Sequence, residues 1–168
     1  MKEVVRVDHS EEILKLLETD SRLTVKEVAI LLNLDEELVA KTIKHLEDEK
    51  IIAGYHTLIN WERTDDHYVS AMIEVRVTPQ RGHGFDRIAE KIYQFPEVKS
   101  MYLISGGYDY LVELKKAPMR QIANFVSSRL SVIEEVQSTA THVVLKRYKD
   151  HNAVLMKDDD DKRMVVSP

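Results

Sequence analysis

The chain has 168 residues, no cysteine and a formal net charge of −5, a length that holds one ordinary domain or two small ones at roughly 100–200 residues each. The lack of cysteine excludes disulfides, thiol nucleophiles and thiolate-ligated metal centres, and no apolar run approaches the roughly 20 residues that span a bilayer. The N-terminus MKEVVRVDHSEE has neither the apolar core nor the cleavage site of a secretory signal, so a cytoplasmic protein is expected, with no membrane partner. Charge is spread unevenly: residues 1–60 carry 8 Lys/Arg against 13 Asp/Glu, whereas residues 61–148 carry 12 against 11. Any nucleic-acid contact therefore has to come from local geometry and not from bulk attraction.

In chain order, Asp8, His9 and Ser10 offer caps to a first helix whose buried stripe is Ile13, Leu14, Leu16 and Leu17. Thr24 and Glu27 form a capping box for a second, short helix with Val28, Ala29, Leu31 and Leu32 inward. Asn33-Leu34-Asp35 is a tight turn into a third helix, about Glu36 to Glu49, with Leu38, Val39, Thr42, Ile43 and Leu46 as its stripe. Ile51 to Asn60 reads as a hairpin turning near Ala53-Gly54, which closes a first domain at residue 60. Residues 61–66 are polar and unpatterned, a linker in which Trp61 is a packing residue.

Beyond it the period becomes strand-like, and a second domain covers residues 67–148. Strands are expected at Tyr68–Thr78, Val98–Ser105, Tyr108–Lys116 and Gln137–Tyr148, with helices from Phe85 to Phe95 and after Pro118. The order β-α-β-β-α-β is the ferredoxin-like arrangement. The fold class is thus α+β: an N-terminal winged helix-turn-helix followed by a ferredoxin-like domain. Residues 149–168, with the acidic run Asp158 to Asp161, form a solvated tail.

Residues 24–49 join a short helix, a tight turn and a longer helix, so the third helix can enter a major groove of double-stranded DNA while the second braces it. Lys41, Lys44 and His45 lie on its outer face, with Lys26 on the second helix. Lysines there reach phosphates or guanine edges, and Thr42 and His45 can supplement them. The same pattern fits a packing module whose mixed charges are merely solvated. Ser105-Gly106-Gly107-Tyr108-Asp109 is equally two-sided. A glycine pair permits positive φ and close ligand approach, and Asp109 can take an ammonium group; alternatively the segment is a hairpin turn in which Asp109 accepts backbone hydrogen bonds. Seven histidines occur without HExxH spacing, RGHG at 81–84 lacks the P-loop lysine, and no nucleophile elbow appears. No metal, cofactor or catalytic constellation is expected.

The stretches ILKLLETDSRLTVKEVAILLNLD, VAKTIKHLEDEKIIAGYHTLIN, FPEVKSMYLISGGYDYLVEL and QSTATHVVLK resemble the Lrp/AsnC family of transcriptional regulators over about residues 9–148. The resemblance implies a non-enzymatic regulator that binds DNA and a small amino-acid effector. It implies an effector site at Ser105, Gly106, Gly107 and Asp109, at a junction between dimers, with Gln137, Ser138 and Thr139 supplied from a neighbouring chain. The alternative it allows is a metabolite sensor, or a sirohaem-decarboxylase-like enzyme, on the same scaffold without DNA binding. Independently, every strand of the second domain carries large apolar residues at both parities. The sheet face away from the helices should then be an interface, giving a homodimer; tetramers or octamers follow only from the resemblance.

Overall fold

The computed structural model describes residues 9–65, 67–78 and 84–155, and the chain divides into two units, Met1–Ile59 and Asn60–Pro168. In the first unit, α1 (Ser10–Thr19), α2 (Val25–Leu32) and α3 (Glu36–Asp48) pack on Ile13, Leu17, Val28, Ala29 and Val39. His9 occupies the α1 cap position with φ 146° and makes no side-chain cap bond; Asp8 lies outside the described residues. The capping box of α2 is complete. The Glu27 N–H donates to Thr24 Oγ1 at 3.3 Å, and the Thr24 N–H donates to Glu27 Oε2 at 2.8 Å. The Thr24 backbone and hydroxyl bonds hold the Glu27 carboxyl below its usual range. Asn33 ends α2 in the left-handed region (φ 51°, ψ 48°), which a short polar side chain tolerates, and Asp35 caps α3 by accepting the Leu38 N–H at 3.1 Å.

Two expectations for this unit change. Leu31 and Leu38, expected in the buried stripes, are 59% and 42% exposed. The stripe on α2 narrows to Val28, Ala29 and Leu32, and that on α3 to Val39, Thr42 and Leu46 with Ile43 beside them. Leu31 falls on the flank because the eight-residue α2, rich in apolar side chains, cannot bury all of them against two partners, and Leu38 lies at the edge of the α3 stripe. The hairpin expected over Ile51–Asn60 does not form among the described residues. The Ile51 and Ile52 N–H groups both donate to the Leu46 carbonyl, at 2.9 and 3.0 Å, and Tyr55 Oη donates to Glu47 Oε1 at 2.8 Å. Neither Ala53 nor Gly54 takes the left-handed φ of a two-residue hairpin turn, and a lone two-stranded ribbon is marginal in water.

The second unit has the expected order: β1 (Ala71–Val77), α4 (Phe85–Tyr93), β2 (Val98–Leu103), β3 (Tyr110–Leu114), α5 (Met119–Phe125) and β4 (Val136–Val143). The sheet runs β2-β3-β1-β4, antiparallel throughout. Alternation along β1 buries Ala71, Ile73, Val75 and Val77 under Ile88 and Ile92 of α4 and Ile122 and Phe125 of α5. Tyr110 is 1% exposed, and its hydroxyl donates to the Phe85 carbonyl at 2.6 Å. After Phe125 the helix widens into a π turn, Val126–Leu130. The opposite sheet face carries Met72, Leu111, Tyr102 and Ala140 among Glu74, Arg76, Glu113, Ser138 and His142, as the cross-strand register fixes. His142 Nε2 sits 3.2 Å from Glu74 Oε1 on that face.

The linker and tail are more structured than the sequence suggested. Trp61–Arg63 makes a single 3₁₀ turn, and the Lys116 ammonium lies 5.1 Å from the centre of the Trp61 ring. Lys149–Asp150 and Ala153–Val154 pair as a small hairpin, β5 and β6, through His151 and Asn152 at φ 40° and 65°. Leu155 is buried, and its carbonyl accepts a hydrogen bond from Asn60 Nδ2 at 2.9 Å. Arg147 joins this hairpin to the sheet, with Nη1 2.8 Å from Asp150 Oδ2 and Nη2 3.5 Å from Glu113 Oε1. Asp158 to Asp161 lie outside the described residues.

The recognition helix and the sheet-end loop

The outer face of α3 presents Lys41, Lys44 and His45 to solvent, and Lys26 is exposed on α2. Lys41 Nζ pairs with Glu37 Oε1 at 2.6 Å, and Lys44 Nζ pairs with Asp48 Oδ2 at 3.3 Å, all four side chains being well over half exposed. Exposed i,i+4 pairs contribute little and exchange readily, so a phosphate can replace either carboxylate. Thr42 does not join them. It is 2% exposed, and its hydroxyl donates to the Leu38 carbonyl at 2.9 Å, which turns it into the helix packing. The stripe parity that made it an inner residue prevails over its candidacy as a DNA contact.

In the second unit, at the sheet end where β1 finishes, residues 105–109 form a bend between β2 and β3 with Ser105, Gly106 and Gly107 exposed. Neither glycine has a left-handed φ. What they supply is space: a Cβ on Gly106 would have its nearest neighbour at 3.9 Å, and one on Gly107 would stand 4.0 Å from an Arg76 guanidinium nitrogen. Asp109 is tied inward. Its N–H donates to the Val75 carbonyl at 3.0 Å, and its Oδ2 accepts the Val77 N–H at 2.8 Å. The turn reading of Asp109 therefore holds for that oxygen.

Gln137, Ser138 and Thr139 reach the same sheet end within this chain. Ser138 lies opposite Arg76, and Thr139 opposite Val75, across the β1–β4 ladder. The hydroxyls of Thr139 and Ser131 stand 3.4 Å apart on the helix side. Arg76 is a neighbour of this loop that sequence reasoning missed. It is exposed on β1, between Gly107 on one flank and Ser138 on the other. Strand alternation marks it only as outward-facing; its meaning comes from the register, which local sequence does not carry. Trp61 and His142 keep structural roles, in a cation–π contact and a cross-strand pair; His83 lies outside the described residues. Among the described residues no group of three or more His, Asp or Glu side chains is placed to hold a metal ion.

A helix-turn-helix unit followed by a ferredoxin-like unit makes this a two-domain protein of the helix-turn-helix class. Comparison with known proteins specifies which. Residues 70–154 match the Lrp/AsnC ligand binding domain, and residues 8–53 match a winged helix-turn-helix DNA-binding domain. The chain is 46% identical, over 94% of its length and 95% of the relative, to an uncharacterized HTH-type transcriptional regulator, YugG, of Bacillus subtilis. It is 26% identical, over 93% of each chain, to the leucine-responsive regulatory protein of Escherichia coli. Among solved structures, the transcriptional regulator NMB0573/L-Met complex of Neisseria meningitidis matches with a TM-score of 0.65 and 28% identity, covering 85% of this chain and 92% of that one. The chain belongs to the Lrp/AsnC family: it is a DNA-binding transcriptional regulator with a ligand-binding domain, and not an enzyme. No helix among the described residues is long and apolar enough to cross a membrane.

Proposed function

We propose that this regulator senses a small α-amino acid at the sheet end formed by Ser105, Gly106, Gly107, Asp109 and Ser138, with Arg76 as its carboxylate partner. The observation that carries the reading is the juxtaposition of Asp109 and Arg76 across the C-terminal end of β1. An α-amino acid needs one anionic and one cationic partner within a few ångströms of each other. Asp109 uses one oxygen on Val77, and a carboxylate has about four lone-pair sites, so acceptor capacity remains for an ammonium group. Arg76 offers the planar fork that matches a carboxylate, and Gly106 and Gly107 leave room for the ligand's backbone. The methionine complex of the Neisseria regulator supports the ligand class. Gln137 and Thr139 flank the same end.

DNA is read by the α3 face bearing Lys41, Lys44 and His45, with Lys26 supporting from α2. The sheet face carrying Met72, Tyr102 and Leu111 pairs with a second copy, and the dimer brings two recognition helices to a two-fold site. A thermal-shift screen of the twenty amino acids tests the effector reading. At least one should raise the melting temperature of wild type, and Arg76→Gln and Asp109→Asn should each abolish that rise. A responsive amino acid to which both variants respond equally would move the site elsewhere.

A further inference from the structure

We propose that Leu38 is a specificity-determining residue of α3, an apolar contact for the C5-methyl group of a thymine in the major groove. The inference rests on the reading of α3 as the DNA-facing helix. It adds what a phosphate-binding lysine does not supply, a preference for one base.

Lone exposed leucines are common on protein surfaces, and its place is what distinguishes this one. Leu38 sits in the first turn of α3, and helix-turn-helix units contact base edges with the N-terminal residues of that helix. Among the described residues of α3 it is the one large hydrophobic side chain left exposed. Leu38, Lys41 and His45 follow one another at the i, i+3, i+7 spacing that shares one side of a helix, and all three are exposed. The acidic Glu36 and Glu37 flank Leu38, so this turn repels phosphates and suits the floor of the groove. Lys41 and Lys44, further along the helix, suit the phosphate backbone.

Two side chains fix the backbone of Leu38. Its N–H donates to Asp35 Oδ1 at 3.1 Å, and its carbonyl accepts the Thr42 hydroxyl at 2.9 Å. First-turn N–H groups lack an intrahelical partner, so the Asp35 cap holds backbone that would otherwise fray. The leucine is positioned before DNA arrives, which lowers the ordering cost of binding. A leucine side chain neither donates nor accepts a hydrogen bond, and the major-groove edge of the four bases carries one apolar group, the thymine methyl. Thymine is therefore the base it selects.

The test uses the full chain and a DNA duplex that it selects from a random pool. Each thymine of that duplex is replaced in turn by deoxyuridine, which removes the C5-methyl and leaves base pairing intact. At one or more thymines the wild type should lose affinity about fourfold, the worth of one buried methyl group. Leu38→Ala should bind the thymine and deoxyuridine duplexes equally at those positions, while keeping the wild-type dependence of affinity on salt. Leu38→Gln keeps the side-chain length and a good helix former; it should behave alike, and it decides alone should Leu38→Ala fail to fold. The proposal is overturned if no thymine responds, if the selected site contains none, or if the response survives in the folded variants. Failure of the underlying reading looks different. In that case the chain selects no duplex, or Lys41→Ala with Lys44→Ala leaves affinity and its salt dependence unmoved, and Leu38 falls together with the α3 face.

Discussion

The Asp109 carboxylate accepts the Val77 N–H at 2.8 Å, one step beyond the point where the β1–β3 register ends at Val75 and Tyr110. A side chain here extends the ladder that the backbone of β3 has left, beside the register shift of β1 against β4 at Arg76/Val77. Asp109→Ala removes that acceptor and should cost about 1–3 kcal/mol of stability. Asp109→Asn keeps a carbonyl oxygen for Val77 and should fold near wild type while losing the charge an ammonium needs. Denaturant unfolding separates the two variants, and equal stabilities would show that the Val77 bond contributes nothing.

Replacing Lys41 and Lys44 with Ala should flatten the slope of log affinity against log salt by roughly 0.9 for each phosphate that is no longer neutralised. The converse change is more telling. Glu37→Gln with Asp48→Asn releases both lysines from their exposed intrahelical partners and should tighten DNA binding, most at low salt. A salt-titrated gel shift reads both, and affinity unmoved in all variants would remove this face of α3 from the interface.

At the neighbouring position, Thr42→Val should leave DNA affinity unchanged, because the side chain faces the packing. Thr42→Arg forces a cation into a site 2% exposed and should unfold the first unit instead of improving its grip. Circular dichroism of the two variants checks this, and a folded Thr42→Arg protein with raised affinity would contradict it.

Burial, reinforced by the charges of Asp109 and Asp86, pushes the Tyr110 hydroxyl up to about 12. Its unfolded value is about 10, so the native state holds a proton that the unfolded chain releases. Stability from this group is intact below about pH 10 and falls as pH rises towards about 12. Tyr110→Phe should lose about 1 kcal/mol at neutral pH with the Phe85 bond, and should flatten the decline between about pH 10 and 12. Parallel alkaline melts of the two proteins would reveal identical slopes if Tyr110 were not responsible.

Met72→Glu combined with Tyr102→Glu places two charges on the sheet face away from the helices, where both residues are already partly exposed. Light scattering at low micromolar concentration should find the wild type at twice the 19.5 kDa chain mass or a multiple of it, and the double variant at that mass. A monomeric wild type would refute the interface.

Much of the fold is legible in the sequence because its signals are local. The Thr24/Glu27 capping box, the Asp35 cap and the alternation of Ala71, Ile73, Val75 and Val77 each act within a few residues and appear where the sequence puts them. The misses are non-local. Period alone places Leu38 inward, yet the width of the packed stripe depends on how many neighbours a helix has. The hairpin at 51–60 follows from apolar residues around a glycine, whereas pairing needs a turn conformation that Gly54 does not adopt. Half of the candidate site is visible as the Ser105–Asp109 loop. Arg76 is not, since its position beside Gly107 and Ser138 is set by strand register between segments more than thirty residues apart.

The bond from Asn60 Nδ2 to the Leu155 carbonyl links residues 95 positions apart within the second unit. It carries an implication for synthesis on the ribosome. The first unit, three helices joined by short turns, rests on contacts near in sequence and can form as soon as it emerges. The second cannot complete itself until β4 has paired with β1 and residue 155 has been added. While β4 and residue 155 are still unmade the ligand-binding sheet lacks its edge strand, whereas every residue of the helix-turn-helix has already been synthesised.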